Sequence, residues 1–266
     1  MPIITKISTQ QKNAERYNIF LDEQYAFSVD EEVLARFQLK KGLELAELDL
    51  FQIQYEDDIR KATNSAIQYL SHRMRSEHEI RTYLKKKDQE EEVIEAVMRK
   101  LHELRYVNDE EFAAAYVRTQ VNTTHKGPGN IARELREKGL DEKHIEAVMQ
   151  EYSDELRVEH AVLLGSKTAR QNSRLSERMI KQKIEQALLR KGYPGDTIRI
   201  ALEEIEYEKD EDEQWEALKS QASKYSRRYS KHTGYEYEQK LKQALFRKGF
   251  PIELIDRFLR EQSENE

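Results

Sequence analysis

From about residue 58 onward, apolar residues recur at helical spacing, and the pattern comes round four times. Leu84, Leu135, Leu188 and Leu245 serve as anchors, set roughly fifty residues apart. Four residues before each stands Ile80, Ile131, Ile184 or Leu241. Ten, thirteen and fourteen residues after them stand Ile94, Val97 and Met98, then Ile145, Val148 and Met149, then Ile198, Ala201 and Leu202, then Ile255, Phe258 and Leu259. Residues four apart share one helix face, and the later triplets make one face of a following helix. A further apolar helix precedes each pair. It carries Ala66, Ile67 and Leu70 in the first repeat, and Phe112, Ala115 and Tyr116 in the second. In the third it carries Ala161, Val162 and Leu164, and in the fourth Trp215, Leu218 and Ala222. Each repeat is thus predicted to be a small three-helix bundle.

Punctuation supports the frame. Ser76 with Glu79 forms a capping box, and Asn108-Asp109 opens the first helix of the second repeat. Gly127-Pro128-Gly129 is read as a turn between its first and second helices. A lysine stands three residues past each anchor: Lys87, Lys138, Lys191 and Lys248. Gly139, Gly192 and Gly249 follow the last three and suit left-handed helix ends. Asp88 follows the first, so that turn is expected to differ. The opening residues have another period. Tyr17, Ile19 and Leu21, then Tyr25, Phe27 and Val29, alternate with polar residues around Asp22-Glu23-Gln24, which predicts a β-hairpin. Ile3 to Ile7 offers a third strand, and Asp30 caps a short helix with Val33, Leu34 and Phe37. The fold class expected is mainly α: tandem three-helix repeats in an elongated array behind a small β-containing segment. The expected boundaries are 1–57, 58–107, 108–153, 154–207 and 208–266.

Composition fits thin helical cores. Of 266 residues, 38% are hydrophobic and 36% charged, with only 9 Gly and 4 Pro. The absence of cysteine excludes disulfides, thiolate metal sites and cysteine nucleophiles. No signal-peptide pattern or membrane-length apolar run is visible, which points to a cytoplasmic protein without a membrane partner. The net charge of -6 disfavours a simple nucleic-acid binder, but the signs are segregated. Glu203 to Glu216 holds nine acids and one lysine, and basic stretches flank it. The candidate binding residues are therefore Arg73, Arg75, Arg81 and Lys85 in the first repeat. In the third they are Arg170, Arg174, Lys181, Lys183, Arg190 and Lys191. In the fourth, Tyr225, Arg227, Arg228, Tyr229, Lys231, Lys242, Arg247 and Lys248 mix aromatics with cations. Some of this charge merely complements helix dipoles.

Signs of catalysis are missing. His72 and His78 lack the spacing of a helical metal pair, and the seven histidines read as scattered surface or cap groups. The chain has no P-loop and no nucleophile elbow, and its carboxylates lie in solvated runs. No catalytic, metal or cofactor residue is assigned, and an enzyme is not expected.

Three segments resemble the RecX family of RecA regulators. They are Ala66 to Leu84, with Arg73-Met74-Arg75-Ser76; Tyr106-Val107-Asn108-Asp109-Glu110-Glu111-Phe112-Ala113; and Gly127 to Gly139, with Ile131, Leu135 and Lys138-Gly139. The hairpin start and fourth repeat resemble the long form of that family. The resemblance implies a non-enzymatic protein, working as a monomer, that binds RecA and its filament on single-stranded DNA. It implies restraint of ATP hydrolysis, strand exchange and coprotease activity, in DNA repair, homologous recombination and the SOS response. No defined binding motif carries over, only the expectation that the basic faces touch RecA or DNA. Direct binding to single- or double-stranded DNA and a general helical scaffold are the competing readings.

Overall fold

A computed structural model of the chain describes residues 1–11 and 13–263. Three antiparallel strands, β1 Ile4–Thr9, β2 Arg16–Leu21 and β3 Gln24–Asp30, form a sheet in sequence order. The β2–β3 turn places Asp22 and Glu23 at φ 48° and 69°, the left-handed pair that matches the twist of a two-residue hairpin. A bulge after Ile19 pairs Phe20 with Tyr25. This corrects the simple alternation: Tyr25 lies edge-on to Phe20 and is 59% exposed, while Ile19, Phe27 and Val29 face the core. Helix α1, Glu31–Arg36, starts where the Glu32 N–H donates to Asp30.

Helix α2, Glu47–Leu70, runs unbroken through position 57. Its start buries Ile53 against the sheet, and its end buries Ala62 and Ala66 in the first three-helix core. Asp57, near its middle, takes both terminal Arg16 nitrogens at 3.2 and 2.8 Å and the Asp30 N–H at 2.8 Å. Burial alone would raise the Asp57 pKa, but hydrogen bonds from Arg16 and Lys61 outweigh it and hold the carboxyl below its ordinary value.

The remaining helices come in threes after α2: α3 Glu77–Lys85 and α4 Glu91–Glu103; α5 Asp109–Thr124, α6 Pro128–Glu137 and α7 Glu142–Met149; α8 Asp154–Gln171, α9 Glu177–Lys191 and α10 Gly195–Glu204; α11 Glu211–Tyr229, α12 Gly234–Arg247 and α13 Ile252–Ser263. All four anchors, and all four residues one helical turn before them, are 0% exposed. Replacing such a leucine by alanine costs about 2–5 kcal/mol. The Ser76–Glu79 capping box is present, and Asn108 accepts from Glu110 and Glu111. The chain divides into two compact units: Met1–Ala113 with Glu137–Asp141, and Ala114–Arg136 with Glu142–Glu266.

A repeated joint lies within these units. In the first, the Ser76 hydroxyl, ahead of α3, donates to the Lys138 carbonyl at 2.7 Å. In the second, the Gly127 and Gly129 N–H groups, at the start of α6, donate to the Lys191 and Gly192 carbonyls at 2.8 and 2.9 Å. The Ser176 hydroxyl, ahead of α9, likewise donates to the Lys248 carbonyl. Each lysine-glycine turn thus seats on the start of an earlier helix. Glycine is needed there for space as well as for conformation. A Cβ on Gly192 would sit 2.5 Å from the Asn130 nitrogen, and one on Gly139 2.3 Å from the His78 Cβ. The Gly127-Pro128-Gly129 turn expected from sequence is therefore also a docking platform.

The first repeat does not depart from this turn as expected. Asp88 adopts φ 57°, and the Gln89 N–H donates back to the Leu84 carbonyl. The Tyr193 N–H does the same to Leu188. Aspartate tolerates this conformation better than most residues because its short side chain can bond locally.

Candidate interaction surfaces

The first-repeat cluster is largely answered by its own acids. Arg73 pairs with Glu79 at 2.7 Å, and Lys85 pairs with Glu91 at 3.0 Å. Arg81 bridges Glu95 at 2.6 Å and Glu77 at 2.8 Å, and the Glu95 bond leads in raising its pKa. Arg75 lies 4.0 Å over the Tyr69 ring, which stacks on Tyr83 at 4.1 Å. These side chains close the bundle. Each exposed pair contributes little alone, and of this cluster Arg73, Arg81 and Lys85 are answered by acids, whereas no carboxylate among the described residues lies within 4 Å of the exposed Lys86 and Lys87.

Repeats three and four differ. Among the described residues, no carboxylate lies within 4 Å of Arg170, Arg174, Lys181, Lys183, Arg190 or Lys191. The same holds for Arg227, Arg228, Lys231, Arg247 and Lys248. Helix α9 turns Ile180, Ile184 and Leu188 inward, which leaves Lys181, Lys183 and Arg190 in solvent. Arg170 lies in the last turn of α8, and Arg174 lies in the loop after it, where its carbonyl takes the Gln221 amide at 3.0 Å. The Lys191 ammonium reaches the Thr124 carbonyl at 3.5 Å. Lys242 is the exception, being paired with Asp256.

Tyr225 and Tyr229 sit one helical turn apart on α11, with ring centroids 6.2 Å apart and planes 18° apart. Arg227 and Arg228 lie exposed between them in sequence, and Lys231 follows. The opposite end of α11 carries Glu211, Asp212 and Glu213, with Asp210 accepting the Glu213 N–H at 2.7 Å. Acid at the start and base at the end complement the helix dipole, so this segregation stabilises α11 whatever else it does. The lone lysine of the acidic run, Lys209, is structural. Its ammonium donates to the Ser173 and Leu175 carbonyls, and burial lowers its pKa.

Leu189 is one of the residues lining an open groove of about 820 Å³ on repeat three. Lys181, Ile198 and Leu202 line it too, together with the acids Glu203, Glu204, Glu206 and Glu208.

Sequence reasoning missed a buried polar cluster. His160 is 9% exposed, and its ring meets His125 edge-on at 4.4 Å. The Tyr152 hydroxyl lies 3.3 Å from His160 Nδ1 and 3.4 Å from the Tyr193 hydroxyl. Tyr193 in turn donates to the His125 carbonyl at 2.9 Å. Reading every histidine as a surface or cap group therefore fails for His160. Its only sequence signal is its place one helical turn from both Leu156 and Leu164 on α8. Among the described residues, no group of three or more histidines or acids could hold a metal, and no helix is long and apolar enough to cross a membrane.

Comparison with known proteins covers nearly the whole chain. The profile described as the regulatory protein RecX N-terminal domain matches residues 2–46. The RecX first and second three-helix domains match 62–101 and 108–149. The RecX third three-helix domain matches twice, at 154–202 and 211–259. This chain belongs to the RecX family. A regulatory protein RecX from Bacillus velezensis is 50% identical over 98% of this chain and 100% of its own length. The RecX of Bacillus subtilis is 48% identical over 98% of this chain and 99% of its own length. A crystal structure of a regulatory protein RecX, 38% identical, superposes with a TM-score of 0.67 over 76% of this chain and 100% of its own. That of RecX from Lactobacillus salivarius, 39% identical, gives 0.54 over 56% of this chain and 97% of its own. The double match of the third domain makes repeats three and four two versions of one RecX module.

Proposed function

We propose that this chain is a cytoplasmic, non-enzymatic, monomeric regulator that binds the RecA filament on single-stranded DNA and restrains its ATPase, strand-exchange and coprotease activities. RecX family membership along nearly the full chain carries this reading. The unspent cations of repeats three and four supply its chemistry, because a filament wound on DNA presents acidic groups. The basic residues of the first repeat that are held in internal ion pairs are the weaker contributors.

The test is RecA's DNA-dependent ATPase, titrated with this protein. Inhibition near stoichiometric ratios is expected, weakened several-fold by the double charge reversal Arg227→Glu with Arg228→Glu. Unchanged RecA activity at saturating protein overturns the reading. One observation favours a second contact. The Tyr225–Tyr229 stack among arginines suits direct contact with single-stranded DNA, where bases stack on aromatic rings. That contact predicts binding to DNA without RecA that falls steeply as salt rises.

A further inference from the structure

The corner between the second and third helices of each repeat is built in two ways. In repeats one and two, the residue after the anchor is basic and is tied to an acid at the start of the next helix. Lys85 meets Glu91 at 3.0 Å, and Arg136 Nε meets Glu142 at 2.9 Å. In repeats three and four both partners are replaced together. Leu189 and Phe246 stand after the anchors, and Gly195 and Ile252 stand where the acids were. Both apolar side chains face solvent, Leu189 at 59% exposed and Phe246 at 55%.

The next residue is arginine at both corners, and both are held in one pose. Arg190 Nε donates to the Gln186 carbonyl at 3.2 Å, and Arg247 Nε to the Gln243 carbonyl at 3.4 Å. No acceptor among the described residues meets the outer nitrogens of either guanidinium. It is the recurrence of an exposed apolar side chain at the equivalent corner of two repeats, rather than the exposure of either alone, that fits a face kept for a partner.

We propose that Leu189-Arg190 and Phe246-Arg247 are twin docking corners, each taking an apolar side chain beside a carboxylate, on a protein that presents this epitope repeatedly. The guanidinium calls for a carboxylate, which it binds with two parallel hydrogen bonds. Leucine at one corner and phenylalanine at the other call for an apolar protein surface. A base-stacking site would need a ring at both. Two copies of one corner on one chain call for a partner made of identical subunits, since both then engage at once and avidity multiplies. The identity of that array as the RecA filament rests on the proposed function.

The experiment measures binding of the full chain to RecA filaments on single-stranded DNA, to RecA made unable to polymerise, and to naked single-stranded DNA. The variants are Leu189→Ser, Phe246→Ser and the double change. Circular dichroism confirms their folding, which the exposure of both side chains favours. On filaments, each single change is expected to weaken binding about tenfold or more, and the double change further. On unassembled RecA, each single change costs about twofold, because only one corner can engage. A double variant that binds filaments as the natural chain does overturns the corners and leaves the proposed function standing. An equal loss on naked DNA also overturns them, by assigning the corners to nucleic acid. A natural chain that binds no filament overturns the function itself, and the twin corners' partner with it.

Discussion

At the scale of single residues, the buried histidine is the most informative position. Burial disfavours a charged His160, and the neighbouring His125 adds to this, so its pKa lies below the ordinary 6.5. Glu159 opposes the shift without reversing it, and Tyr152, Tyr193 and Arg157 are the other titratable groups around the cluster. The unfolded chain then binds more protons than the folded one as pH drops below about 6.5, and stability falls with it until the folded value is passed. Urea unfolding of the natural chain and of His160→Phe at pH 7 and pH 6 checks this. The natural chain should lose stability over that interval, and the variant should lose less. Carboxylate titration contributes little in that window, since ordinary carboxyl values lie near 4. Core residues at this scale were plain in the sequence, because the periodicity names a face and the anchors are fully buried. His160 was not, because His125 and Tyr193 are distant in sequence and Tyr152, though near, precedes α8, so no helical period links them.

At the scale of elements, caps and turns were legible wherever their signal is local. The Ser76–Glu79 box and the Asp30 and Asn108 caps involve residues within one turn of each other. The hairpin was legible too, apart from the bulge that turns Tyr25 outward. The joint was hidden, because its two sides lie about sixty to seventy residues apart and each acceptor is a backbone carbonyl that any residue would supply. Glycine substitutions separate its two demands. Gly42 has φ 87° with nothing near a new Cβ, so Gly42→Ala should cost only the left-handed backbone, about 1–2 kcal/mol. Gly192 has φ 88° and also a backbone nitrogen in the way, so Gly192→Ala should cost about 3 kcal/mol or more. Asp88→Gly should be neutral or stabilising by about 1 kcal/mol, because it relieves a left-handed residue. Chemical denaturation of the three variants ranks them, and equal losses for Gly42→Ala and Gly192→Ala would refute the steric part.

At the scale of the whole molecule, separate small cores are stitched by a recurring joint, so damage should stay local. A Cβ on Gly249 would come within 2.9 Å of the Arg178 Cβ. In Gly249→Asp, amide hydrogen exchange should therefore speed up around Ser176–Ile180 and Leu245–Ile255, with protection in Met1–Ala113 unchanged. Loss of protection along the entire chain would mean that the cores are more strongly coupled than a chain of neighbours. The alternation of acidic and basic stretches was evident in the sequence. Which cations are spent internally was not, since that depends on whether an acid such as Glu91 lies at the facing helix start. The joint also bears on how such a molecule can lengthen. It has a direction, with a turn on one repeat and a helix start on the repeat before it, so copying a glycine-bearing module onto the C-terminal side supplies a ready-made connector. Repeats three and four, matched by the same RecX domain, are consistent with that kind of growth. At the other end, a module inserted ahead of the first repeat would meet the Asp88 side chain where every later turn is bare. Gene duplication could therefore extend this chain cheaply in one direction only.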